Sequence, residues 1–481
     1  MRPTSEQQAI VDAARSGTNL VIQAGAGTGK TSTLRLVAAE LRKPTLYIAY
    51  NRAIADEASG SFPKRVQCRT AHSLANGAIG WQYRHRLNGG RQTSQQAAAV
   101  LGTPWVELGR SKRISPAQIA RISIGAVQRF CYSADDEITE QHVPHQNGVI
   151  GEDHDDLVYA ALPYARRAWD DICSRSGALR FEHDHYLKMW ALTRPRLDVD
   201  VVMLDEAQDS NPLVAQLVQD QDAQQIAVGD SCQSLYGWRG AIDALDQWNA
   251  DEVLYLSQSW RFGPVIADEA NKWLARIGTR LRLTGNSSLQ SQLASLDLPK
   301  AVLCRTNAGG MAEVMRLLAE GHRVALVGKG KMIRQLATAA AELKSTGRTS
   351  HPELFAFTSW AALQEFTEED AGRDLKPFVD LIDAHGPEAV IEATDALVDE
   401  KQADVVVSTA HSSKGREWET VSIGDDYPSG ESSPDNAKAD AMVAYVAVTR
   451  ARMLLDRGSL AWIDRPARRP RRFVRPSAAG R

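Results

Sequence analysis

The sequence predicts an α/β fold built as two parallel-sheet lobes, each interrupted once by a mainly helical accessory insertion. Three observations lead there. The apolar run at 20–22 feeds a glycine-rich turn and then a helix that opens at Lys30-Thr31. Short apolar, strand-like runs alternate with helix-like segments at the start of the chain, and return near residues 200, 300 and 405. Between those stretches the chain becomes polar and keeps a helical period.

In chain order, Ser5 reads as the N-cap of a helix through Ala14, residues 46–49 as the next strand, and 54–58 as a helix after it. Residues 1–78 therefore begin the first lobe, which resumes over 196–270 with strands at 199–204 and 225–228. The intervening 79–195 is rich in Arg, Gln and His, and its helical period over 117–130 and 157–169 marks it as the first insertion. Its acidic clusters at 152–156 and 182–185 read as solvated loops, since neither holds metal ligands at i, i+4 spacing. The second lobe takes 271–328 and 403–463, with strands at 301–304, 323–327, 405–409 and 420–423. A short helical insertion at 329–402, broken near Gly347 and Gly386, separates its halves. The basic tail 464–481 is expected to be disordered, either simply solvated or touching phosphates nonspecifically.

A chain of 481 residues exceeds what one core serves, and 43% hydrophobic with 24% charged residues suits a globular protein. Lys plus Arg number 56 against 59 Asp plus Glu, a net charge of −3, which excludes a globally basic nucleic-acid binder and leaves local patches only. Five cysteines without C-x-x-C spacing argue against a disulfide framework or a zinc site. No apolar run approaches about 18 residues and the N-terminus is polar, so a cytoplasmic protein without a membrane partner is expected.

The chemistry starts at Ala24-Gly-Ala-Gly-Thr-Gly-Lys-Thr31. Gly25, Gly27 and Gly29 let backbone N–H groups turn inward around phosphate, with Ala26 and Thr28 between them. Lys30 can reach the β- and γ-phosphates, and the Thr31 hydroxyl can hold Mg²⁺. Ala24 stands where the usual G-x-x-x-x-G-K-T pattern has its first glycine, a position that tolerates a small residue. Asp205 and Glu206, at the end of an apolar strand, supply a metal carboxylate and a base for the attacking water. Arg261 and Arg450 are candidate arginine fingers, and one arriving from the second lobe would make hydrolysis depend on lobe closure.

Taken together and in this order, the motifs resemble the UvrD/Rep-like DNA helicases of superfamily 1. The matching blocks are Thr4-Ser-Glu-Gln7; 24–31; 47–51 with Thr70-Ala-His-Ser-Leu74; 204–209; 229–241; Ser259-Trp-Arg261; and 409–418 followed by Tyr445-Val-Ala-Val-Thr-Arg-Ala451. Tyr50-Asn-Arg-Ala-Ile54, Thr70-Ala-His-Ser-Leu-Ala75 and Tyr186-Leu-Lys188 are most similar to the F-box DNA helicase branch, although no F-box is expected before Thr4. The resemblance implies two RecA-like lobes with ATP between them. It implies Gln7 at the adenine edge, Trp260 stacked on the base, Mg²⁺ on Thr31 and Asp205, Gln233 at the γ-phosphate, Arg261 and Arg450 as the fingers, and Gly415 and Glu417 at the nucleotide, Glu417 on the ribose. It adds Tyr50, Asn51, His72 and His411 as strand contacts, beside the aromatic and basic cluster Tyr236, Trp238 and Arg239, which suits base stacking.

The implied activity is ATP-driven 3′–5′ movement on single-stranded DNA with unwinding of duplex, the partners being single strands and 3′-tailed duplexes. The 74 residues of 329–402 are fewer than in the corresponding domain of the best-known family members. An ATP-gated single-strand binding or translocating module without efficient unwinding therefore stays open, as does an RNA helicase.

Overall fold

The computed structural model describes residues 3–465 apart from 88, 91, 110, 111, 236–244, 246, 329, 369–371, 373, 429 and 431–433. Its strands in chain order are β1 (Leu20–Ala24), β2 (Thr45–Ile48), β3 (Val66–Arg69), β4 (Val106–Leu108), β5 (Lys112–Ile114), β6 (Val201–Leu204), β7 (Gln224–Gly229), β8 (Glu252–Leu256), β9 (Gln292–Leu293), β10 (Ala301–Cys304), β11 (Val324–Leu326), β12 (Val405–Thr409), β13 (Trp418–Ile423) and β14 (Ala451–Asp456). They form two six-stranded parallel sheets, ordered β3-β2-β6-β7-β1-β8 and β11-β12-β10-β13-β14-β9, with β4 and β5 as a separate antiparallel pair. The runs Val-Val-Met-Leu in β6 and Ala-Val-Leu-Cys in β10 are buried throughout, as strands covered on both faces by helices must be. The α/β class and the two sheets are as predicted. The edge strands β3 and β9 escape the sequence reading because they carry no apolar run, whereas β8 and β14 carry one, at 253–256 and 453–455, that the reading passes over.

Parallel register positions the site. Ile48 pairs with Leu204, Leu204 with Ala227, and Ile22 with Val228. The chain therefore leaves β2, β6, β7 and β1 side by side at one sheet edge, the crevice where α/β sheets hold ligands. In the second sheet Trp418 pairs with Ala451, so the preceding residues, Glu417 and Arg450, arrive as neighbours.

The first helix runs Ser5–Arg15 with Thr4, not Ser5, as its N-cap; Thr4 accepts from Gln7 N–H and Gln7 answers in a capping box. The first insertion holds the helices Ser94–Leu101, Pro116–Tyr132, Glu152–Cys173 and His183–Leu192 plus the β4–β5 hairpin, and shares one core with Val21, Leu46 and Val202 of the first sheet. Its acidic clusters are not loops. Glu152, Asp153 and Asp155 lie in the first turn of the helix Glu152–Cys173, and Glu182 caps His183–Leu192, where negative charge favours the N-terminus. Among the described residues no group of three or more His, Cys, Asp or Glu is placed to hold a metal. In the second insertion Ile333, Phe378, Ile382 and Val390 pack against Val302, Val324 and Val407, so its helices cover the second sheet. Gly347, at φ +70°, ends the helix Gly330–Thr346, and Gly386 separates the last two. The tail beyond 465 lies outside the described residues. Among the described residues no helix is long and apolar enough to cross a membrane.

Lys188 is fully buried in the first insertion. Its ammonium donates to the Ser133 and Asp135 carbonyls at 2.8 and 2.6 Å and sits 4.1 Å above the Phe130 ring. Burial pulls its pKa down from 10.5 to about 8, so between those values the unfolded chain binds more protons than the native one. Stability attributable to Lys188 should therefore rise as pH climbs from 8 toward 10.5. Thermal melts across that window should lose this increment in Lys188→Met.

Candidate nucleotide site

The glycine loop between β1 and the helix Lys30–Leu41 has the shape a phosphate cradle needs. Gly27 and Gly29 have φ of +74° and +81°, and a Cβ on Gly27 would come within 2.6 Å of Arg261 Cβ. The helix Lys30–Leu41 begins without a side-chain cap, leaving its first N–H groups to the loop's interior. Ala24 ends β1 fully buried, and Thr28 is tied back to the Gly25 carbonyl at 2.8 Å.

Lys30 meets Glu206 at 3.0 Å. Burial alone would lower its pKa, but Glu206, Asp230 and Asp205 outweigh that and hold it above the ordinary lysine value. Asp205 accepts from the Thr31 hydroxyl at 3.0 Å, from the Tyr47 hydroxyl at 2.6 Å, and from the Glu206 N–H at 2.9 Å. Burial and then Glu206 push the Asp205 carboxyl up, opposed by Lys30 and those hydroxyls. For Glu206 burial pushes upward too, yet Lys30, the Gln208 amide at 2.7 Å and Lys414 prevail and hold the carboxyl below its usual range. Glu206 is also held at φ +51°, a left-handed backbone that costs a non-glycine residue on the order of 1–3 kcal/mol and tends to mark functional positions.

Across the crevice Arg261 Nε donates to Glu417 Oε2 at 2.7 Å, and its guanidinium reaches the Thr449 carbonyl at 3.2 Å. Arg450 is buried and donates to the Gln233 side-chain oxygen at 3.3 Å, to the Val446 carbonyl and to the Arg416 carbonyl. Burial, then Arg261, lowers its pKa to about 9, which leaves it charged at neutral pH. Lys414 crosses as well, pairing with Asp209 and donating to the Gln233 carbonyl at 2.7 Å. Gly415 follows it at φ +79° in the turn before Glu417. Trp260 holds the loop through its backbone N–H on the Gly27 carbonyl at 2.8 Å, and the residue, 48% exposed beside Gly29, leaves room for a planar ligand. Gln7 donates to the Thr33 hydroxyl at 3.1 Å on the same side.

These residues fit a magnesium nucleotide by their chemistry. Backbone N–H groups and Lys30 suit phosphate oxygens, the hydroxyl and carboxylate of Thr31 and Asp205 are hard donors of the kind Mg²⁺ takes, and the arginines face them. Tyr47, Asp209, Asp230, Lys414 and Tyr445 belong to this constellation yet were not singled out from the sequence. A signal existed for all five, since each lies inside a block already read.

A family profile described as an AAA domain matches residues 7–239. F-box DNA helicase protein 1 of Schizosaccharomyces pombe is 29% identical over 94% of this chain and 57% of its own length, and F-box DNA helicase 1 of Gallus gallus 27% over 94% and 48%. The chain is thus similar to UvrD/Rep-like superfamily 1 helicases, and to F-box DNA helicases among them. It spans about half the length of the curated relatives it matches.

The residues that the resemblance assigns to a nucleic-acid strand are placed as follows. Tyr50 follows β2 at the crevice edge and is 56% exposed. Asn51 instead caps the helix Arg52–Ser61 by accepting from Ile54 N–H at 3.0 Å, and His72 pairs with Asp184 at 2.9 Å. Because β2 and β3 pair from Thr45 with Val66 to Ile48 with Arg69, Tyr50 and the Thr70–His72 segment emerge together. His411 is half-buried just past β12. Tyr236, Trp238 and Arg239 lie outside the described residues.

Tyr47→Phe should weaken Asp205's setting. Losing a hydrogen bond to a buried carboxyl is expected to cost about 1–3 kcal/mol in denaturant unfolding, and the Mg²⁺ concentration for half-maximal ATPase should rise.

Proposed function

We propose that this protein is an ATP-dependent DNA helicase or translocase that moves 3′ to 5′ on single-stranded DNA, with single strands and 3′-tailed duplexes as its substrates. One observation carries the reading: Lys30, Thr31, Asp205 and Glu206 of the first sheet's edge share a crevice with Glu417 and Arg450, delivered by the second sheet and linked through Arg261 and Gln233. The lobes divide the chain as 1–78 with 196–270 and 271–328 with 403–463, and 79–195 and 329–402 are their insertions.

In this mechanism the glycine loop from Ala24 to Gly29 and Lys30 bind the phosphates, while Gln7 and Trp260 hold the adenine and Gly415 and Glu417 the sugar side. Mg²⁺, held by Thr31 and Asp205, would neutralise phosphate charge. Glu206 takes a proton from the attacking water, a role suited to a carboxylate kept ionised. Its pairing with Lys30 must loosen as Lys30 turns to phosphate, which frees the base when substrate is present. Arg261 and Arg450 stabilise charge on the transferring group, and Gln233 links Arg450 to the first lobe. Tyr50, Asn51, His72, His411, Tyr236, Trp238 and Arg239 grip the strand, so opening and closing of the lobes moves it stepwise.

The helices of 329–402 are occupied in covering the second sheet, which favours translocation with limited unwinding as the second reading. The test is ATPase rate with single-stranded DNA, duplex or RNA, followed by unwinding of duplexes with a 3′ or a 5′ tail. No stimulation by single-stranded DNA would sink the motor reading, preference for a 5′ tail the polarity, and stimulation by RNA alone the DNA assignment.

A further inference from the structure

We infer that Tyr445 is a positioning residue through which the second lobe grips the phosphate loop and so couples strand binding to hydrolysis. The inference rests on the ATPase reading above. Tyr445 is fully buried in the helix Pro434–Val448, and its hydroxyl accepts from the Ala26 N–H at 3.0 Å while donating to Asp230 Oδ2 at 3.0 Å. A single hydroxyl from the second lobe thus holds two loops of the first. Asp230 Oδ2 also accepts from the Gln233 amide at 2.6 Å, and Gln233 in turn accepts from Arg450 at 3.3 Å. Arg450 follows directly from the helix that carries Tyr445 and bonds back to its Val446 carbonyl at 2.9 Å. Tyr445, Asp230, Gln233 and Arg450 therefore form a closed ring across the crevice, and Ala26 hangs on it through the Tyr445 hydroxyl.

Only a seated helix completes that ring. Withdrawing it leaves the Ala26 N–H and the Asp230 carboxylate without this partner in a buried place, so intermediate positions are unfavourable and the helix is either seated or released. The Ala26 carbonyl is held separately, from the first lobe, by the Ser259 hydroxyl at 2.8 Å. One residue of the phosphate loop, Ala26, is thus fixed at its carbonyl by its own lobe and at its N–H by the other, through the helix that also sets Arg450.

The variant Tyr445→Phe keeps the ring and removes the hydroxyl. In the full chain we expect stimulation of ATPase by oligo(dT) to fall by about tenfold, within the ordinary range of coupling between sites, with KM for ATP little changed and the melting temperature lowered as the Ala26 N–H and the Asp230 carboxylate lose a buried partner. Ser259→Ala, which frees the same residue from the first-lobe side, should lower basal and stimulated rates alike and keep their ratio. Wild-type stimulation in Tyr445→Phe, or an equal loss of the ratio in Ser259→Ala, would overturn the inference. A wild-type protein not stimulated by oligo(dT) fails earlier and overturns the motor reading with it. If Tyr445→Phe does not fold, Asp230→Asn interrupts the same ring at its next link: loss of the ratio supports the coupling, and a wild-type ratio overturns it.

Discussion

Replacing Glu206 with Gln is expected to lower ATP turnover by about 10²–10⁴-fold, the usual contribution of a positioned general base, while ATP still binds. Glutamine keeps the size of the side chain and a carbonyl oxygen for the Gln208 amide, so the local fold should hold. It removes the charge that Lys30 meets at 3.0 Å, which frees the ammonium for phosphate; nucleotide affinity is therefore expected to stay level or rise. Single-turnover hydrolysis and equilibrium binding of a fluorescent ATP analogue separate the two effects. Retained turnover would remove Glu206 from the base role.

Arg450→Ala is expected to cost about 10³–10⁵-fold in kcat, the range for a lost arginine finger. Unlike an exposed finger, Arg450 is buried and satisfies the Val446 and Arg416 carbonyls and the Gln233 side chain, so truncation should also cost about 1–3 kcal/mol of stability through unpaired polar groups. The companion Arg261→Ala removes a partly accessible pair to Glu417 and should leave stability nearly intact, because such pairs contribute little. Comparing kcat and chemical denaturation for both variants tells a catalytic loss from a structural one. If Arg450→Ala lost stability but not kcat, Arg450 would be a strut between the lobes and not a finger.

Short-range chemistry made much of this legible. The glycine loop, Lys30 and Thr31 are consecutive, Asp205 and Glu206 follow one apolar run, and each pattern depends only on neighbours in the chain. The buried strands β1, β6, β10 and β12 were visible for the same reason, whereas the edge strands β3 and β9 keep exposed residues and lack that signature. Thr4 displaced Ser5 as a cap because its hydroxyl and Gln7 satisfy each other, a choice between adjacent hydroxyls that composition cannot make. The acidic clusters at 152–156 and 182–185 misled because charge density resembles a solvated loop, when the helix dipole accommodates it equally well. Asn51 and His72 have partners of their own, a cap and Asp184, which a motif alone does not disclose.

By itself, the sequence determined the α/β class, the phosphate loop and the carboxylate pair, since these depend on residue type at fixed local spacing. Only the tertiary structure decided which strands are neighbours, and with that the pairing of Trp418 with Ala451 that brings Glu417 beside Arg450. In the first sheet the pairing of β2 with β6 set Tyr47 on Asp205, and lobe packing set Tyr445 on Ala26, contacts between residues 158 and 419 positions apart. Hydrogen bonds at such separations are set by sheet order and lobe packing, which no local pattern encodes.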